Sequence, residues 1–421
     1  MTPTLYLTRN GLLEPLGQSQ VIAYLRGLSR DYKITLITYE KPEDWADSDR
    51  MADARADCEA HGIRWLPQKF RARPKIIAPA LSMARMVWLV RREVRRGGIR
   101  LIHARSYIPA AVALTVSRMT AVSFLFDMRA LWPEELVTAG RLKRGSLIHR
   151  AIAAAERACL SSAAGVISLT HAAVEHLKDI YPKELADQRL VVIPTCADLD
   201  RFTPLVERKS GPKVHSCIGT VLSGWFRTEW LAAWLAAAAT HDPEARFEIV
   251  TRDDPSQVRL AIDPEGRLVD RLTIAPRQTQ EMPDAVRGHD LSVMFYAGGE
   301  VSELGRSPTR MAEILGCGLP VVANDGVGDV ARIIEKYRVG ILVDGPTPEQ
   351  MKAALLVLDE LMTDPDLPAR CRAAAEEVFS LKGGTSAYAR LYEAVLEQSN
   401  GATACAEWVF QGIVTGHFRS S

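Results

Sequence analysis

Strand-like and helix-like segments alternate along almost the whole chain, and this alternation restricts the fold more than any other feature of the sequence. Short apolar runs begin with Leu5–Leu7 and Lys33–Tyr39 and recur up to Leu190–Ile193, and stretches with helical spacing lie between them. The polar segment Asp200–Lys213 interrupts the pattern, which restarts at Val214–Ile218. Repeated strand–helix units build parallel sheets that helices cover on both faces. The sequence therefore predicts an α/β protein with two doubly wound domains and a ligand cleft between them.

Composition narrows the class of protein. With 421 residues, of which 47% are hydrophobic and 24% charged, the chain can bury two cores. Its seven cysteines include no C-x-x-C pair, which argues against a disulfide framework or a zinc site and favours a reducing compartment. No apolar run reaches membrane-spanning length, and the N-terminus lacks the apolar segment of a signal peptide, so we expect a cytoplasmic protein.

The first half of the chain is basic. Residues 1–210 hold 32 basic and 22 acidic side chains, and residues 69–98 hold nine basic residues and one acid, Glu93. Residues 76–94 within this segment have a helical pattern that includes Trp88. Such a helix can lie on the anionic inner face of the cytoplasmic membrane or attract an anionic substrate, or it can be a core helix whose arginines face water. Since no RNA- or DNA-binding motif occurs, nucleic acid is not an expected partner.

A loop with two glycines joins the first strand to the first helix. The stretch LYLTRNGLLEPLGQSQ contains Gly11, Pro15 and Gly17 before the helical pattern begins. A strand, a glycine-bearing turn and a helix N-terminus can offer backbone N–H groups to an anion, although the pattern G-x-G-x-x-G is absent. The loop therefore predicts either an anion site, in which Gly17 lets the amides come close to the reacting groups, or a plain turn.

Polar side chains follow two neighbouring strands of the first domain. His103 and Arg105 end the strand in LIHARSY, and Asp127 and Arg129 end the strand in FLFDMRALWPEE, with Trp132 close behind. The carboxyl ends of parallel strands meet at one edge of a sheet, where ligands bind. These residues predict a binding site, or else a structural histidine and a salt bridge that holds a loop.

The stretch RSPTRMAEILGCGLPVV in the second half has the features of a nucleotide site. Ser307 suits a helix N-cap and Pro308 the first helical position. Thr309 and Arg310 would then lie in the first turn, where the helix dipole and a guanidinium favour a diphosphate. Glu313, one turn further, can accept hydrogen bonds from the vicinal hydroxyls of a ribose. A well-capped helix with a solvated glutamate is the alternative.

Several motifs together resemble a bacterial family-4 glycosyltransferase of the GT-B fold, in the branch that assembles surface polysaccharides. LLEPLGQSQVIAYLRGL, LIHARSY, FDMRALWPEE, VVIPTCADLDRF and SPTRMAEILGCGLPVVAN carry the resemblance, which spans residues 1–398. It implies two Rossmann-like domains that face each other across a cleft. Residues 1–205 would bind the acceptor, residues 206–380 the nucleotide-sugar donor, and residues 381–421 would form a crossover helix and tail on the first domain.

The resemblance also implies an activity. Members of this family are retaining enzymes that need no catalytic metal and no cofactor besides the donor substrate. The chain is thus expected to move a sugar from a nucleotide-diphosphate sugar to a hydroxyl of a glycan or lipid-linked acceptor. The acceptor would lose its proton to the leaving phosphate or to a group such as Asp127.

Roles for individual residues follow from the resemblance. The residues expected to take part in catalysis are Asp127, Arg129, Arg310 and His103. The residues expected to bind the donor are Gly17, Gln18, Gly219, Arg252, Ser307, Thr309, Arg310 and Glu313. The residues expected to bind the acceptor are Glu14, Gln18, Ser19, Arg105 and Trp132.

The chain departs from the family at the Glu-x7-Glu motif. Glu313 matches its second glutamate, but Gly305 stands in the place of the first, and Glu300 or Glu303 could substitute.

The chain departs again after the strand that ends at Gly219. Many members carry an Arg and a Lys there, near Thr220 and Gly224 of this chain, so Arg310, with Arg227, would have to supply the positive charge. These departures keep two alternatives open: a non-catalytic subunit that binds nucleotide sugars, and a nucleotide-sugar epimerase of the same fold.

Overall fold

The computed structural model describes residues 1–70, 78–206 and 211–414, and in them the chain forms two parallel sheets. The first sheet has the strand order β3-β2-β1-β4-β5-β6-β7 and the second the order β10-β9-β8-β11-β12-β13. The strands of the first sheet are β1 (Thr2–Leu7), β2 (Tyr32–Glu40), β3 (Arg64–Lys69), β4 (Leu101–Arg105), β5 (Ser123–Asp127), β6 (Gly165–Ser168) and β7 (Leu190–Val192). Those of the second are β8 (Val214–Ile218), β9 (Arg246–Val250), β10 (Leu272–Ala275), β11 (Leu291–Met294), β12 (Val321–Ala323) and β13 (Gly340–Leu342).

Helices connect these strands and cover both faces of each sheet. The helices of the first domain are α1 (Pro15–Gly17), a π-helical turn (Gln18–Ile22), α2 (Ala23–Leu28), α3 (Pro42–Ala46), α4 (Ser48–Ala60), α5 (Ala78–Gly97), α6 (Tyr107–Thr120), α7 (Trp132–Thr138), α8 (Leu147–Ser162) and α9 (His171–Ile180). Those that follow are α10 (Thr228–His241), α11 (Pro255–Ile262), α12 (Met282–Arg287), a 3₁₀ turn (Val301–Gly305), α13 (Thr309–Gly316), α14 (Val330–Tyr337), α15 (Pro348–Met362), α16 (Leu367–Phe379) and α17 (Leu381–Val414). The predicted α/β class with two doubly wound domains is confirmed.

The inner strands of the first sheet are buried on both faces, which explains apolar runs such as that of β5. Leu5 and Leu7 point into a core shared with α5 and α6, whereas Tyr6 points into a second core shared with α2 and α17. The last helix, α17, thus leaves the second domain and packs against the first.

Three helices differ from what the sequence predicts. The helical spacing of residues 142–161 predicts a helix from Leu142, but this helix begins at Leu147, because Gly145 takes a left-handed conformation and Ser146 caps the helix by accepting a hydrogen bond from His149 N. The spacing of residues 45–61 predicts one helix, but the structure divides it into α3 and α4, because Asp47 is extended and caps α4. The short helix α7 was not predicted.

Two predictions rest partly on residues outside those described. Residues 71–77, which hold part of the predicted basic surface, are among them, and so are the side chains of the tail, residues 399–421. Among the described helices, none is both long enough and apolar enough to cross a bilayer.

Candidate active site

Backbone amides of the loop after β1 donate hydrogen bonds to two carboxylates of the protein itself. Leu12 N donates to Glu40 Oε1 at 2.8 Å and Leu13 N to Glu40 Oε2 at 3.3 Å, while Gly11 N donates to Glu14 Oε1 at 3.2 Å. Glu40 ends β2 and is buried, so its carboxylate occupies the amides at which an external anion was expected. Glu14, predicted to contact the acceptor, takes part in this closure.

Gly17 is required by the packing of the loop itself. A Cβ at this position would lie 2.2 Å from Gly11 O and 2.6 Å from Leu12 O. In the π-helical turn that follows, Gln18 and Ser19 are exposed, and Gln18 Nε2 donates to Leu12 O at 2.8 Å. Turns of this kind are rare and frequently occur at functional sites. Of the loop residues predicted to bind, Gln18 and Ser19 are the ones accessible to a substrate.

The ends of β4 and β5 bring four predicted site residues together around one carboxylate. Asp127 Oδ2 lies 3.2 Å from His103 Nε2 and 3.5 Å from Arg105 Nη1, and Asp127 Oδ1 lies 3.7 Å from Arg129 Nη1. We call these four residues the carboxylate cluster. Asp127 has no exposed surface and the side chains of Arg105 and Arg129 are about nine-tenths buried.

The carboxylate cluster carries a surplus of positive charge. Burial alone would raise the pKa of Asp127, but the Arg129 guanidinium, the hydrogen bond from His103 and the Arg105 guanidinium outweigh it and lower this pKa to about 2. Burial lowers the pKa of His103 in spite of its carboxylate neighbour, so the imidazole is neutral. Two guanidinium groups therefore face one carboxylate, and Arg105 Nη1 has no hydrogen-bond partner among the described residues. An ionised and enclosed Asp127 fits a counter-ion for the arginines better than a base for the acceptor.

Two tyrosines of α17, which the sequence analysis missed, complete the carboxylate cluster. Tyr388 OH donates to Asp127 Oδ2 at 3.1 Å, and Tyr392 OH lies 2.7 Å from His103 Nδ1. Their i, i+4 spacing was visible in the sequence and places both on one helix face. That pattern alone indicates only a buried aromatic stripe.

The segment that links the two domains lies beside the carboxylate cluster. Cys196 N donates to Tyr24 OH at 3.2 Å, and the Arg129 guanidinium opposes the burial-driven rise in the pKa of both side chains. One residue earlier, Thr195 N donates to Ser307 Oγ at 3.1 Å, and Thr195 Oγ1 donates to Ser307 O. The start of α13 in the second domain is thereby attached to the segment that borders the cluster.

Ser307 consequently does not cap α13, contrary to prediction. The helix begins at Thr309, its N-cap position is Pro308, and no side chain in the described structure caps it. The hydroxyl of Ser307 is engaged by Thr195 instead. An uncapped helix N-terminus next to a domain boundary favours an anionic group.

Arg310 and Glu313, predicted to hold the diphosphate and the ribose, form an ion pair with each other along α13. Glu313 is 9% exposed, whereas about a third of the Arg310 side chain remains accessible. The pair leaves the guanidinium able to turn toward a phosphate in the first turn.

The loop after β8 lies at the carboxyl edge of the second sheet. Gly219 has a φ of +124°, which favours glycine, and its N–H donates to Val250 O at 2.9 Å. Asp253 Oδ2 accepts hydrogen bonds from Val221 N at 2.7 Å and Leu222 N at 3.1 Å, so this carboxylate holds the loop. Arg252 is exposed beside it.

Arg227 is committed to the protein itself. Its Nη2 donates to Gly298 O at 3.0 Å, and its guanidinium stacks on Trp230 at 4.7 Å from the ring centroid. It is therefore poorly placed to replace the family's Arg and Lys near Thr220 and Gly224.

Gly305 fits a close contact between the domains. A Cβ there would lie 2.9 Å from Leu131 N, so the position next to the backbone of the first domain has no room for a glutamate. Trp132, the predicted acceptor contact, starts α7 beside this point and packs on the ring of Tyr107 at 5.6 Å.

Neither Glu303 nor Glu300, the two candidates to replace the missing glutamate, is both buried and unpaired. Glu303 is 1% exposed and paired with Arg306, whose guanidinium stacks on Trp225 at 5.2 Å. Glu300 is exposed. Within the described residues, no three His, Cys, Asp or Glu side chains are grouped so that they could hold a metal ion.

Two protein-family models match the sequence, each over one domain. The model described as Glycosyl transferase 4-like domain matches residues 19–196, and the model described as Glycosyl transferases group 1 matches residues 213–360. Together they match well over half of the chain. A comparison with curated protein sequences gave no match.

Solved structures share the fold over almost the whole chain. Sucrose-phosphate synthase from Thermosynechococcus elongatus aligns over 94% of this chain and 100% of its own, with a TM-score of 0.68 and 15% identity. Anabaena Alr3699/HepE, solved in complex with UDP and glucose, aligns over 93% and 100%, with a TM-score of 0.64 and 15% identity. The lipopolysaccharide outer core galactosyltransferase WaaB aligns over 94% and 99%, with a TM-score of 0.64 and 13% identity. These similarities establish a shared two-domain fold.

Proposed function

The chain is a glycosyltransferase of the GT-B fold, and from this premise we propose that it transfers a sugar from a nucleotide-diphosphate sugar to a hydroxyl of a glycan or lipid-linked acceptor. We propose further that transfer retains the anomeric configuration, needs no metal ion and serves the assembly of a cell-surface polysaccharide. The resemblance of the motifs to the family-4 branch supports these finer statements. The HepE structures with UDP and with UDP-glucose support the donor class.

One observation carries the proposal: groups that favour an anion lie on both sides of the domain boundary. In the first domain, the carboxylate cluster has two guanidinium groups against one carboxylate. In the second domain, the uncapped start of α13 offers backbone N–H groups, and Arg310, although paired with Glu313, is about a third exposed. The bonds between Thr195 and Ser307 attach the start of α13 to the segment that borders the carboxylate cluster. A diphosphate that gains negative charge as it leaves would be stabilised by both.

The same arrangement supports a route for the acceptor proton. Asp127 is ionised, enclosed and shared by two arginines, so it is poorly suited to take a proton from a hydroxyl. We therefore assign the proton to the leaving phosphate, on the same face as the attacking hydroxyl. In this scheme Arg129 and Arg105 orient the reacting groups, Glu313 holds the ribose, and Gln18 and Ser19 border the acceptor.

Domain closure would exclude water from this reaction. The 3₁₀ turn of the second domain contacts the first domain through Ser302 Oγ, 3.1 Å from Thr138 Oγ1, and Leu304 O, which accepts from Thr170 Oγ1 at 2.5 Å. A closed cleft orients acceptor against donor and limits hydrolysis of the donor.

We propose that the first domain rests on an anionic membrane surface. Trp88 on α5 is 59% exposed beneath the guanidinium of Arg92, and Leu147 and Ile148 at the start of α8 are 83% and 66% exposed. Exposed apolar side chains among basic ones favour an anionic interface. Cosedimentation with anionic but not neutral vesicles, weakened in L147S/I148S, is the expected result; equal binding to both vesicle types contradicts the proposal.

Gly305 and the missing Arg/Lys pair favour one alternative, a subunit that binds nucleotide sugars without turnover. The test is to incubate the protein with UDP-, GDP- and ADP-sugars and with glycan or lipid-linked acceptors in EDTA, and to measure released nucleotide and the anomeric configuration of the product by NMR. The proposal predicts release and retention in EDTA. Inversion or a metal requirement contradicts the finer statements, and nucleotide binding without release for every acceptor supports the alternative.

A further inference from the structure

The C-terminal helix runs from the second domain to the carboxylate cluster of the first. Helix α17 begins at Leu381, directly after α16 of the second domain, and packs against α2 in the core that also contains Tyr6. Tyr388 and Tyr392 are 2% and 1% exposed there. Their rings pack close to the imidazole of His103, at centroid distances of 5.2 Å and 5.7 Å.

The hydroxyl groups of these tyrosines set the direction of a hydrogen-bond chain. Because Asp127 is ionised, it accepts from His103 Nε2, so His103 Nδ1 carries no proton and accepts from Tyr392 OH at 2.7 Å. Tyr388 OH donates to the same oxygen, Asp127 Oδ2, at 3.1 Å and accepts from Arg129 Nη1 at 3.3 Å. Every donor of the chain is thus directed toward the carboxylate of Asp127.

The chain accounts for the position of Arg129. This residue has a φ of +62°, an uncommon conformation for a non-glycine residue, and its guanidinium lies 3.7 Å from Asp127. A contact of that length leaves orientation to other partners, and Tyr388 OH is the hydrogen-bond partner of Arg129 Nη1. The side chain of Arg129 is therefore held between the carboxylate and a tyrosine of α17.

We propose that Tyr388 and Tyr392 are positioning residues of the glycosyltransferase site, acting through Asp127, His103 and Arg129. This inference rests on the proposed function, because it takes the carboxylate cluster as part of that site. It makes α17 a functional element as well as a structural one. The helix follows directly from the second domain and brings two hydroxyl groups to the carboxylate cluster of the first.

The test compares two variants with a matched control, Y32F, at a residue of β2 that contacts the same helix. Y388F and Y392F each remove one hydroxyl from the cluster and keep the ring. Y32F removes a hydroxyl that donates to Ala389 O of α17 at 3.2 Å and also keeps its ring, which packs on Tyr392 at 5.0 Å. Each variant loses hydrogen bonding that holds α17, two bonds in Y388F and one each in Y392F and Y32F, but only Y388F and Y392F lose bonds to the cluster.

We expect Y388F to lower kcat about 10- to 100-fold with little change in the donor KM, because a misplaced Arg129 weakens interactions made in the transition state. Y32F should keep the wild-type kcat when both are assayed well below their unfolding temperatures. Equal kcat values for Y388F and Y32F would overturn the proposal.

A spectroscopic measurement tests the hydrogen-bond chain without substrate. In the wild type, ¹H–¹⁵N correlation of the His103 imidazole, assigned with an H103N variant, should show a proton on Nε2 only. Y392F should keep this tautomer, because Asp127 still accepts from Nε2, but the ¹⁵N resonance of the unprotonated Nδ1 should move downfield, because Nδ1 loses its hydrogen-bond donor. Y32F should keep the wild-type Nδ1 resonance, and an unchanged Nδ1 resonance in Y392F would overturn the role of Tyr392. An inactive wild type that shows these imidazole signals would contradict the proposed function and leave the hydrogen-bond chain standing.

Discussion

At the scale of single residues, Asp127 determines how positive charge is held in the first domain. Its carboxylate is fully buried and lies within 3.7 Å of two guanidinium groups and one imidazole. Removing one partner from a buried ion pair leaves the other charge uncompensated, and this costs far more than losing an exposed pair.

Substitution of Asp127 by asparagine should therefore be strongly destabilising. We expect D127N to lower the free energy of unfolding by about 3–5 kcal/mol at neutral pH. D57N, which breaks the exposed pair between Asp57 and Arg26 (2.8 Å), should cost about 1 kcal/mol or less. Urea-induced unfolding measures both values, and similar losses in the two variants would contradict a charge-holding role for Asp127.

A second buried residue predicts how stability depends on pH. His215 is 4% exposed, its Nδ1 accepts from Trp234 Nε1 at 3.2 Å, and burial lowers its pKa to about 4. The unfolded chain takes up this proton near pH 6.5, so the contribution is complete above that pH and is lost as the pH falls toward 4. Between pH 6.5 and 4, the protonation of His215 should lower the free energy of unfolding of the wild type by about 3 kcal/mol. The same change of pH should lower it less in H215N, which keeps a hydrogen-bond acceptor. Identical pH profiles of unfolding would contradict the assignment.

At the scale of secondary-structure elements, the 3₁₀ turn explains a departure from the family motif. Gly305 lies against the backbone at Leu131, and a Cβ would come within 2.9 Å of Leu131 N. A glycine at this position allows the close contact between the domains, and a glutamate at the same position would not fit.

G305A should therefore weaken the contact between the domains. Forcing a methyl group into a packed site costs about 1–3 kcal/mol. G211A is the matched control, since nothing lies within 4 Å of a Cβ at Gly211. We expect a lower thermal midpoint and a higher donor KM for G305A alone. A midpoint for G305A equal to that of G211A would contradict a close domain contact at Gly305.

Elements can be predicted from the sequence where neighbouring residues determine them, and not where residues far apart in the chain do. The β-strands are predictable because strands buried on both faces are continuous apolar runs, as in β1 and β5. The hydrogen bonding of the loop after β1 cannot be predicted in this way, because Glu40, which accepts from the loop amides, lies 28 residues from Leu12 and belongs to another strand. Tyr388 lies 261 residues from Asp127, and only the folded chain brings the two together.

At the scale of the whole molecule, two adjacent chain crossings and a helix cap are among the contacts that join the domains. The crossings lie side by side, since Ala197 N donates to Phe379 O at 2.9 Å and Leu381 N to Ala197 O at 3.0 Å. On the other side of the boundary, Asp329 accepts from His171 N at 2.7 Å and from Ala172 N at 3.0 Å. A carboxylate of the second domain thus caps α9 of the first.

Loss of this cap should loosen the closed arrangement. D329N removes a charge from a helix N-terminus and should cost about 0.3–1 kcal/mol, so the amides of His171 and Ala172 should exchange with solvent about 2- to 5-fold faster. D254N, which alters a cap made within the second domain, is the control and should leave these two amides unchanged. Unchanged exchange in D329N would contradict the role of the cap in closure.

The proposed function requires a nucleotide site at α13, and a titration with nucleotides tests this site. The thermal midpoint of the purified protein is measured against UDP, GDP, ADP and their common sugars, first in EDTA and then with Mg²⁺. A nucleotide site at α13 predicts a midpoint that rises with concentration for one nucleotide in EDTA. E313A should weaken that response by about 10- to 100-fold in affinity, because a hydrogen-bonded charge is lost, whereas E349A on α15 should not. No response to any nucleotide, or equal responses in the wild type and E313A, would contradict it.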